Sequence, residues 1–254
     1  MNELWKNRSL IMSLAFNDVK VRYKNSILGF LWTFLEPLLM LGVLYFIFTN
    51  IFKNDIENYP LYLLLGLIIW YMFSRSTSMG LSSLLDRSHL IQKIYFPREI
   101  VVISSCLTAF IMMLFEFSAF VFFLVILQFI PPATALLFPL ILVDLFLLSL
   151  GISFILSVSA VYFRDIKFIW QVVLQAGFFL TPIIYQLDMF PKHIQEILSI
   201  NPLVTILDVS HDLVLYNIMP SLSSVLYIIG TTFLFLLTGF ILFKIKSDKI
   251  VEEL

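Results

Sequence analysis

Arg22-Tyr23-Lys24-Asn25-Ser26-Ile27-Leu28-Gly29-Phe30-Leu31-Trp32-Thr33-Phe34-Leu35-Glu36-Pro37 is the stretch on which the fold turns. A basic, mixed segment ends there and the first long apolar run begins, so the chain passes from water into lipid. Trp32 suits headgroup level, because its ring is apolar with one N–H to satisfy. Glu36-Pro37 sits just inside the apolar run. A carboxylate there is costly unless it faces protein or water, and Pro37 is expected to fix the backbone where the membrane helix proper starts. An ordinary membrane-entry boundary accounts for the Trp and the cations but not for the Glu-Pro pair.

Working outward, the 254 residues are 60% hydrophobic and 13% charged, with mean hydropathy +0.98. Average soluble domains carry about 25% charge, so the composition is that of an integral membrane protein. A net charge of −1 gives no reason to expect a nucleic-acid partner. The single Cys106 cannot close an intrachain disulfide and reads as a small buried hydrophobe. No signal-peptide pattern precedes the first charges.

Residues 1–28 mix apolar side chains with Lys6, Arg8, Lys20, Arg22 and Lys24. That pattern predicts an imperfectly amphipathic helix in the membrane surface; a cytoplasmic helix packed on other protein fits nearly as well. Six apolar runs follow, at 30–52, 62–83, 100–130, 136–162, 169–185 and 222–243, each near the roughly 20 residues a span requires. The fifth is short and broken by Thr181-Pro182. The half-polar stretch 186–220 holds a further apolar segment, interrupted by Asn201-Pro202, which predicts short re-entrant helices sheltered by protein. Residues 244–254 form a basic tail. Lys and Arg collect before the first run, after the second (Arg87, Lys93, Arg98), after the fourth (Arg164, Lys167) and in the tail, whereas the opposite loops carry acids. The positive-inside rule then puts both termini in the cytoplasm of a six-span, all-α protein.

Ser74, Ser78 and Ser82 recur every four residues, as do Ser149, Ser153 and Ser157. Small-xxx-small stripes predict close helix packing, with substrate lining as the alternative. Glu36, Arg75, Glu116 and Asp144 are ionisable residues in or near apolar runs. The expectation for Arg75 is an ion pair with Glu116 or Glu36. His89, His193 and His211 fall in predicted loops on different sides, which argues against a metal site. The chain contains no GxxxxGK[ST] phosphate loop, so it cannot hydrolyse ATP by that route. It also lacks GxSxG, HExxH and CxxC. Trp32, Phe34, Tyr45 and Tyr185 are aromatic candidates for a carbohydrate path, since sugar C–H faces stack on rings, and Glu36 joins them as a polar lining candidate. The loop Asp86-Arg87-Ser88-His89-Leu90-Ile91-Gln92-Lys93-Ile94-Tyr95-Phe96 carries more apolar surface than a solvated loop should expose. It reads as a docking element for a partner, or as a helix on lipid headgroups.

Arg22-Tyr23, Trp32 and Glu36-Pro37, the Leu90-Ile91-x-Lys93-x-Tyr95-Phe96-Pro97-Arg98-Glu99 loop, Tyr162-Phe163-Arg164-Asp165-Ile166, Thr181-Pro182-Ile183-x-Tyr185 and Asn201-Pro202 together resemble the permease subunits of ABC-2-type polysaccharide exporters, which move O-antigen, capsule or teichoic acid. The resemblance covers the chain nearly end to end. It implies one ABC-2 (type V exporter) transmembrane domain over 1–254 in a bacterial cytoplasmic membrane. A second copy of the chain and two copies of a separate ATPase are implied as partners, with a lipid-linked polysaccharide as substrate. It also implies that the chain is not an enzyme and holds no cofactor, ATP and Mg being bound by the ATPase. Asp86, Arg87, His89, Leu90, Ile91, Lys93, Tyr95 and Phe96 would dock the ATPase; Arg22, Tyr23, Arg164 and Asp165 would form the cytoplasmic gate or interface. An ABC-2 drug or lipid exporter is the rival within the same architecture. An intramembrane transferase would need converging acids or histidines, and a proton-driven flippase more spans.

Overall fold

The structure is a computed structural model that describes residues 5–24, 26–51, 56–93 and 96–253, all helix, turn or irregular backbone among those residues. Helix α1 is Arg8–Arg22, α2 Leu31–Ile51, α3 Tyr59–Asp86, α4 Ser88–Lys93 and α5 Glu99–Ile126. A 3₁₀ turn, Ala133–Leu137, leads into α6, Phe138–Tyr162. Helix α7 is Ile166–Leu180, α8 Lys192–Leu198, α9 Pro202–His211 and α10 Leu222–Glu253. Each expected apolar run coincides with one long helix, α2, α3, α5, α6, α7 or α10. Four stretches among the described residues are long and apolar enough to cross a membrane: Leu31–Thr49, Glu99–Ile126, Ala133–Tyr162 and Leu222–Ser247. Helix α3 carries Arg75 and a serine-rich second half, and α7 has only 15 residues.

Several boundaries differ from expectation for visible reasons. Helix α2 begins at Leu31, so Pro37 lies inside it rather than at its start. Helix α5 stops at Ile126, because Gln128 turns into the left-handed region (φ 52°) before Pro131-Pro132. Helix α7 ends at Leu180, ahead of Thr181-Pro182, as Pro disfavours helical backbone in the residue before it. Helix α10 continues without a break through 244–253, the segment expected as a tail.

The core is built around α3. From Leu61 to Ile69 its side chains are essentially inaccessible on every face, enclosed by α5, α6 and the α9 segment. Ser149, Ser153 and Ser157 are fully buried, as a packing stripe requires. A Cβ at Gly80 would lie 2.4 Å from the Ser153 Cβ, so α3 and α6 touch through atoms no larger than hydroxymethyl. Between α6 and α10 the approach is closer still. A Cβ at Gly239 would lie 2.2 Å from the Gly151 carbonyl oxygen. Cys106 is buried, as expected.

Candidate functional site

The two ends of the helix bundle are fastened in different ways, and the candidate residues divide between them. At one end Leu84 of α3, Ile91 of α4, Val101 of α5, Val161 of α6 and Phe243 of α10 share one apolar cluster. The end of α3, the start of α5, the end of α6 and the late part of α10 therefore meet there. Most of the described Lys and Arg of the loops lie at this end. Arg87 caps α3, but it faces inward: Nη1 donates to Ser104 Oγ at 2.9 Å and Nη2 pairs with Asp18 of α1. Thr108 Oγ1 adds a 3.4 Å contact to the same carboxylate. Helix α1 buries only Ala15 and Val19, against Ile111 and Met112 of α5, leaving Met12, Phe16 and Val21 exposed. Tyr23 and Leu107 extend this contact, and the Asp18–Arg87 pair adds a polar tie from α1 to the end of α3.

Within the loop expected to dock a partner, Ile91 is buried and Phe96 packs partly into the same cluster. Those two side chains anchor the loop. Asp86, His89 and Lys93 are exposed and Leu90 is half-buried, while Tyr95 lies outside the described residues. Phe163 is 70% exposed on the turn after α6, with Arg164 and Asp165 exposed beside it.

Deeper in the bundle, Arg75 pairs with Glu116 and also with Glu36 at 3.2 Å, as anticipated. The Arg75 side chain is 8% exposed, Glu116 is fully buried and Glu36 is 52% exposed. Arg75 also lies 5.7 Å from the Tyr71 ring centre. Nearby, Tyr23 meets Phe30 edge-on at 5.4 Å and Phe30 meets Phe115 at 4.3 Å. Burial pushes the Tyr23 phenol up, although Arg22 and Arg75 pull it the other way. Phe34 rests on Phe122 at 5.9 Å, and Trp32 remains 42% exposed. Arg22 is exposed and its guanidinium makes a 3.9 Å contact with the Met79 sulfur.

The serine stripe of α3 behaves unlike that of α6. Ser78 is exposed and Ser74 and Ser82 are half-buried. Ser82 and Asp86 border a cleft of about 370 Å³ shared with Asp18, Arg22 and Arg87, and a smaller one of about 120 Å³ beside Lys167 and Gln171. Packing within one chain does not use this stripe; its neighbours Ser76, Thr77 and Gly80 make the buried contacts.

At the opposite end the fastenings are neutral and buried. Tyr59 donates to the Ile184 carbonyl at 3.0 Å, and Tyr62 to those of Pro182 and Tyr185 at 3.1 and 2.9 Å. His211 stacks on Tyr62 at 3.7 Å and places Nε2 3.0 Å from the Tyr62 carbonyl. The loop position expected for His211 is thus corrected: it ends helix α9 and is buried. The clamp escaped sequence reading, although Tyr59 and Tyr62, three apart, predict one helix face. Thr134 donates to the Leu213 carbonyl at 2.7 Å. Tyr45 stacks near Tyr59 at 6.2 Å, and Tyr185 donates to Phe179 O at 2.8 Å. The aromatic candidates therefore form two groups: Trp32, Phe34 and Glu36 early in α2, Tyr45 and Tyr185 at the far end. Helices α8 and α9, with the π turn Asp212–Tyr216, bend by 107° at their junction. The Asn201 side chain caps α9 by accepting the Leu203 N–H at 3.1 Å, and Pro202 occupies the first turn.

No group of acids, histidines and cysteines suited to a metal occurs among the described residues. The ABC-2 type transporter family model matches residues 9–215. The chain is 30% identical to an O-antigen export system permease protein RfbA of Klebsiella pneumoniae, over 96% of this chain and 95% of that one. It is 28% identical to the protein of the same name from Myxococcus xanthus, over 100% and 98%. A polysialic acid transport protein KpsM of Escherichia coli is 23% identical over 96% and 95%.

Proposed function

We infer that this chain, which belongs to the ABC-2 type transporter family, works as the membrane-spanning half of an ATP-driven polysaccharide exporter. It is a multi-pass membrane protein and a permease of the polysaccharide-exporting kind. Beyond that, our reading is that two copies enclose the path and that a lipid-linked glycan of the O-antigen or capsule type passes along it. All six long helices act as spans, α8 and α9 dip into the membrane from the outer side, and both termini are cytoplasmic. The basic distribution of the loops supports that orientation. An ABC-2 drug or lipid exporter remains the rival reading; the relatives' names favour a glycan.

The observation that carries the mechanism is the rigid seating of the α4 loop. Ile91 and Phe96 root it in the core, Arg87 ties its base to α1 and α5, and Asp86, His89 and Lys93 face outward. A separate ATPase pressing on that outer face, and on Phe163-Arg164-Asp165, would move α3 and α1 together. ATP and Mg would stay on that subunit, and energy would enter here by contact alone. Helices α2 and α7 would respond: α7 buries no residue fully, and much of α2 stays open. Cells lacking this chain should keep lipid-linked glycan inside while synthesis continues, and the wild-type gene should restore it to the surface. Normal surface glycan in the deletion strain would overturn the assignment.

A further inference from the structure

Among the described residues, three buried side-chain atoms lack a hydrogen-bond partner: Ser76 Oγ, Tyr162 Oη and Glu116 Oε2. Only the last belongs to an ion pair. A buried carboxylate oxygen without a donor costs more than a hydroxyl in the same position, so it calls for a reason. The reason lies in how Arg75 divides its donors. Nη1 pairs with Glu116 Oε1 of α5, whereas Nη2 reaches away to Glu36 Oε2 of α2 at 3.2 Å. One guanidinium of α3 thus ties two other helices through single contacts, although its two Nη atoms match a single carboxylate end-on.

The two contacts differ in how easily they part. Glu116 is fully buried, while Glu36 is half exposed and exchanges its cation readily. Glu36 also stands on an open stretch of α2. Leu31, Trp32 and Leu39 around it are exposed, and Pro37 follows it directly inside the helix. Lacking an N–H, Pro37 leaves the Thr33 carbonyl without its helical donor, which makes the turn between them a place to bend. Thr33 and Pro37 are themselves buried, so the pivot is seated while the helix around it is open.

We propose that Arg75 is a two-position latch on α2. In the shut position, the one described above, it bridges Glu116 and Glu36. In the open position Glu36 swings out with the first turns of α2 about Pro37, and Nη2 closes onto Glu116 Oε2. The freed donor and the orphaned acceptor then satisfy each other, so opening strands no charge in the core. The Tyr71 ring, 5.7 Å from the guanidinium carbon and one turn away on the same helix, stays beside Arg75 in both positions. Two arrangements of one packed network, differing by one half-exposed ion pair, make a bistable element. As a device for export it rests on the permease reading, in which α2 responds to the ATPase; as a property of the chain it does not.

Spin labelling tests the latch without an ATPase or a glycan, so the latch can fail while the permease reading stands. Cys106, the one native cysteine, is buried, so a label on Leu31→Cys, at an exposed position of α2, reports that position alone. The full labelled chain is placed in phosphatidylglycerol nanodiscs and the ratio of mobile to immobile label is read. Glu36→Gln should raise that ratio about fivefold, the weight of one half-exposed ion pair, with the melting temperature unchanged because Arg75 closes on Glu116. Adding Pro37→Ala should cancel most of the rise. Glu116→Gln, which keeps one acceptor for Nη1 but offers an NH₂ where the second oxygen stood, should bring the ratio below wild type. A ratio unmoved by Glu36→Gln would overturn the latch, and that variant decides the question whether or not Glu116→Gln folds. A rise accompanied by a melting temperature as low as that of Arg75→Ala would overturn it too, since Glu36 would then support the core. An equal rise in Glu116→Gln and Glu36→Gln would overturn the second position.

Discussion

Besides its apolar cluster, the α4 end of the bundle, where docking is proposed, is fastened by ion pairs and the far end by neutral hydrogen bonds, and the contrast separates what can move from what must stay. At the docking end, Asp18–Arg87 and Lys244–Glu99 are ion pairs with at least one partly exposed member. Such pairs contribute about 0–1 kcal/mol and exchange readily for water or for another protein's charges. At the far end Tyr59, Tyr62 and Thr134 donate to buried backbone carbonyls, and His211 packs under Tyr62. These bonds are buried, so removing a donor leaves a carbonyl short of a partner away from water. Arg75 with Glu116 and Glu36 sits between the two regimes: one carboxylate is locked in, the other half open.

The largest effect should come from that middle group. Arg75→Ala leaves Glu116 buried without its cation and should cost about 3–5 kcal/mol, read as lost yield and a lower melting temperature in detergent. Arg75→Met with Glu116→Leu should recover most of it. If the single change proved harmless, the pair would not be holding α3 to α5. Next comes the far end: Tyr62→Phe should cost about 1–3 kcal/mol, seen as thermal destabilisation and faster proteolysis around Pro182–Tyr185. Arg87→Glu should cost about 1 kcal/mol and loosen α1 on its apolar seat, which a cysteine pair bridging α1 and α3 would report as slower cross-linking. Smallest in stability is Lys93→Glu with Phe163→Ala, expected within about 0.5 kcal/mol of wild type while ATPase association is lost. A docking-end change as destabilising as Tyr62→Phe would erase the contrast.

Much of this was legible in the sequence because membranes impose simple rules. Length and apolarity located the long helices, and the cost of a lone charge in lipid gave Arg75 its carboxylates. Small residues at four-residue spacing gave the α6 stripe. The same spacing on α3 misled, since periodicity identifies a face but not what lies against it, and Ser78 looks outward. His211 lies past the apolar segment that Asn201-Pro202 interrupts and so reads as loop, whereas the helix that Asn201 caps runs on to it. Ile91 and Leu90 are neighbours in an apolar pair, and only the fold distinguishes the one that anchors from the one left half open. Asp18, one acid among the cations of the N-terminal segment, gave no sign that it would meet Arg87.

The α4 end of the bundle is proposed to transmit work done by another protein. The most direct test is co-purification of the full chain with its candidate P-loop ATPase, followed by ATP turnover with and without the permease. A stable complex with equal copies of the two chains and turnover altered by the permease is expected, both lost on Lys93→Glu with Phe163→Ala. A permease that binds no ATPase, or a complex indifferent to those exposed residues, would contradict it.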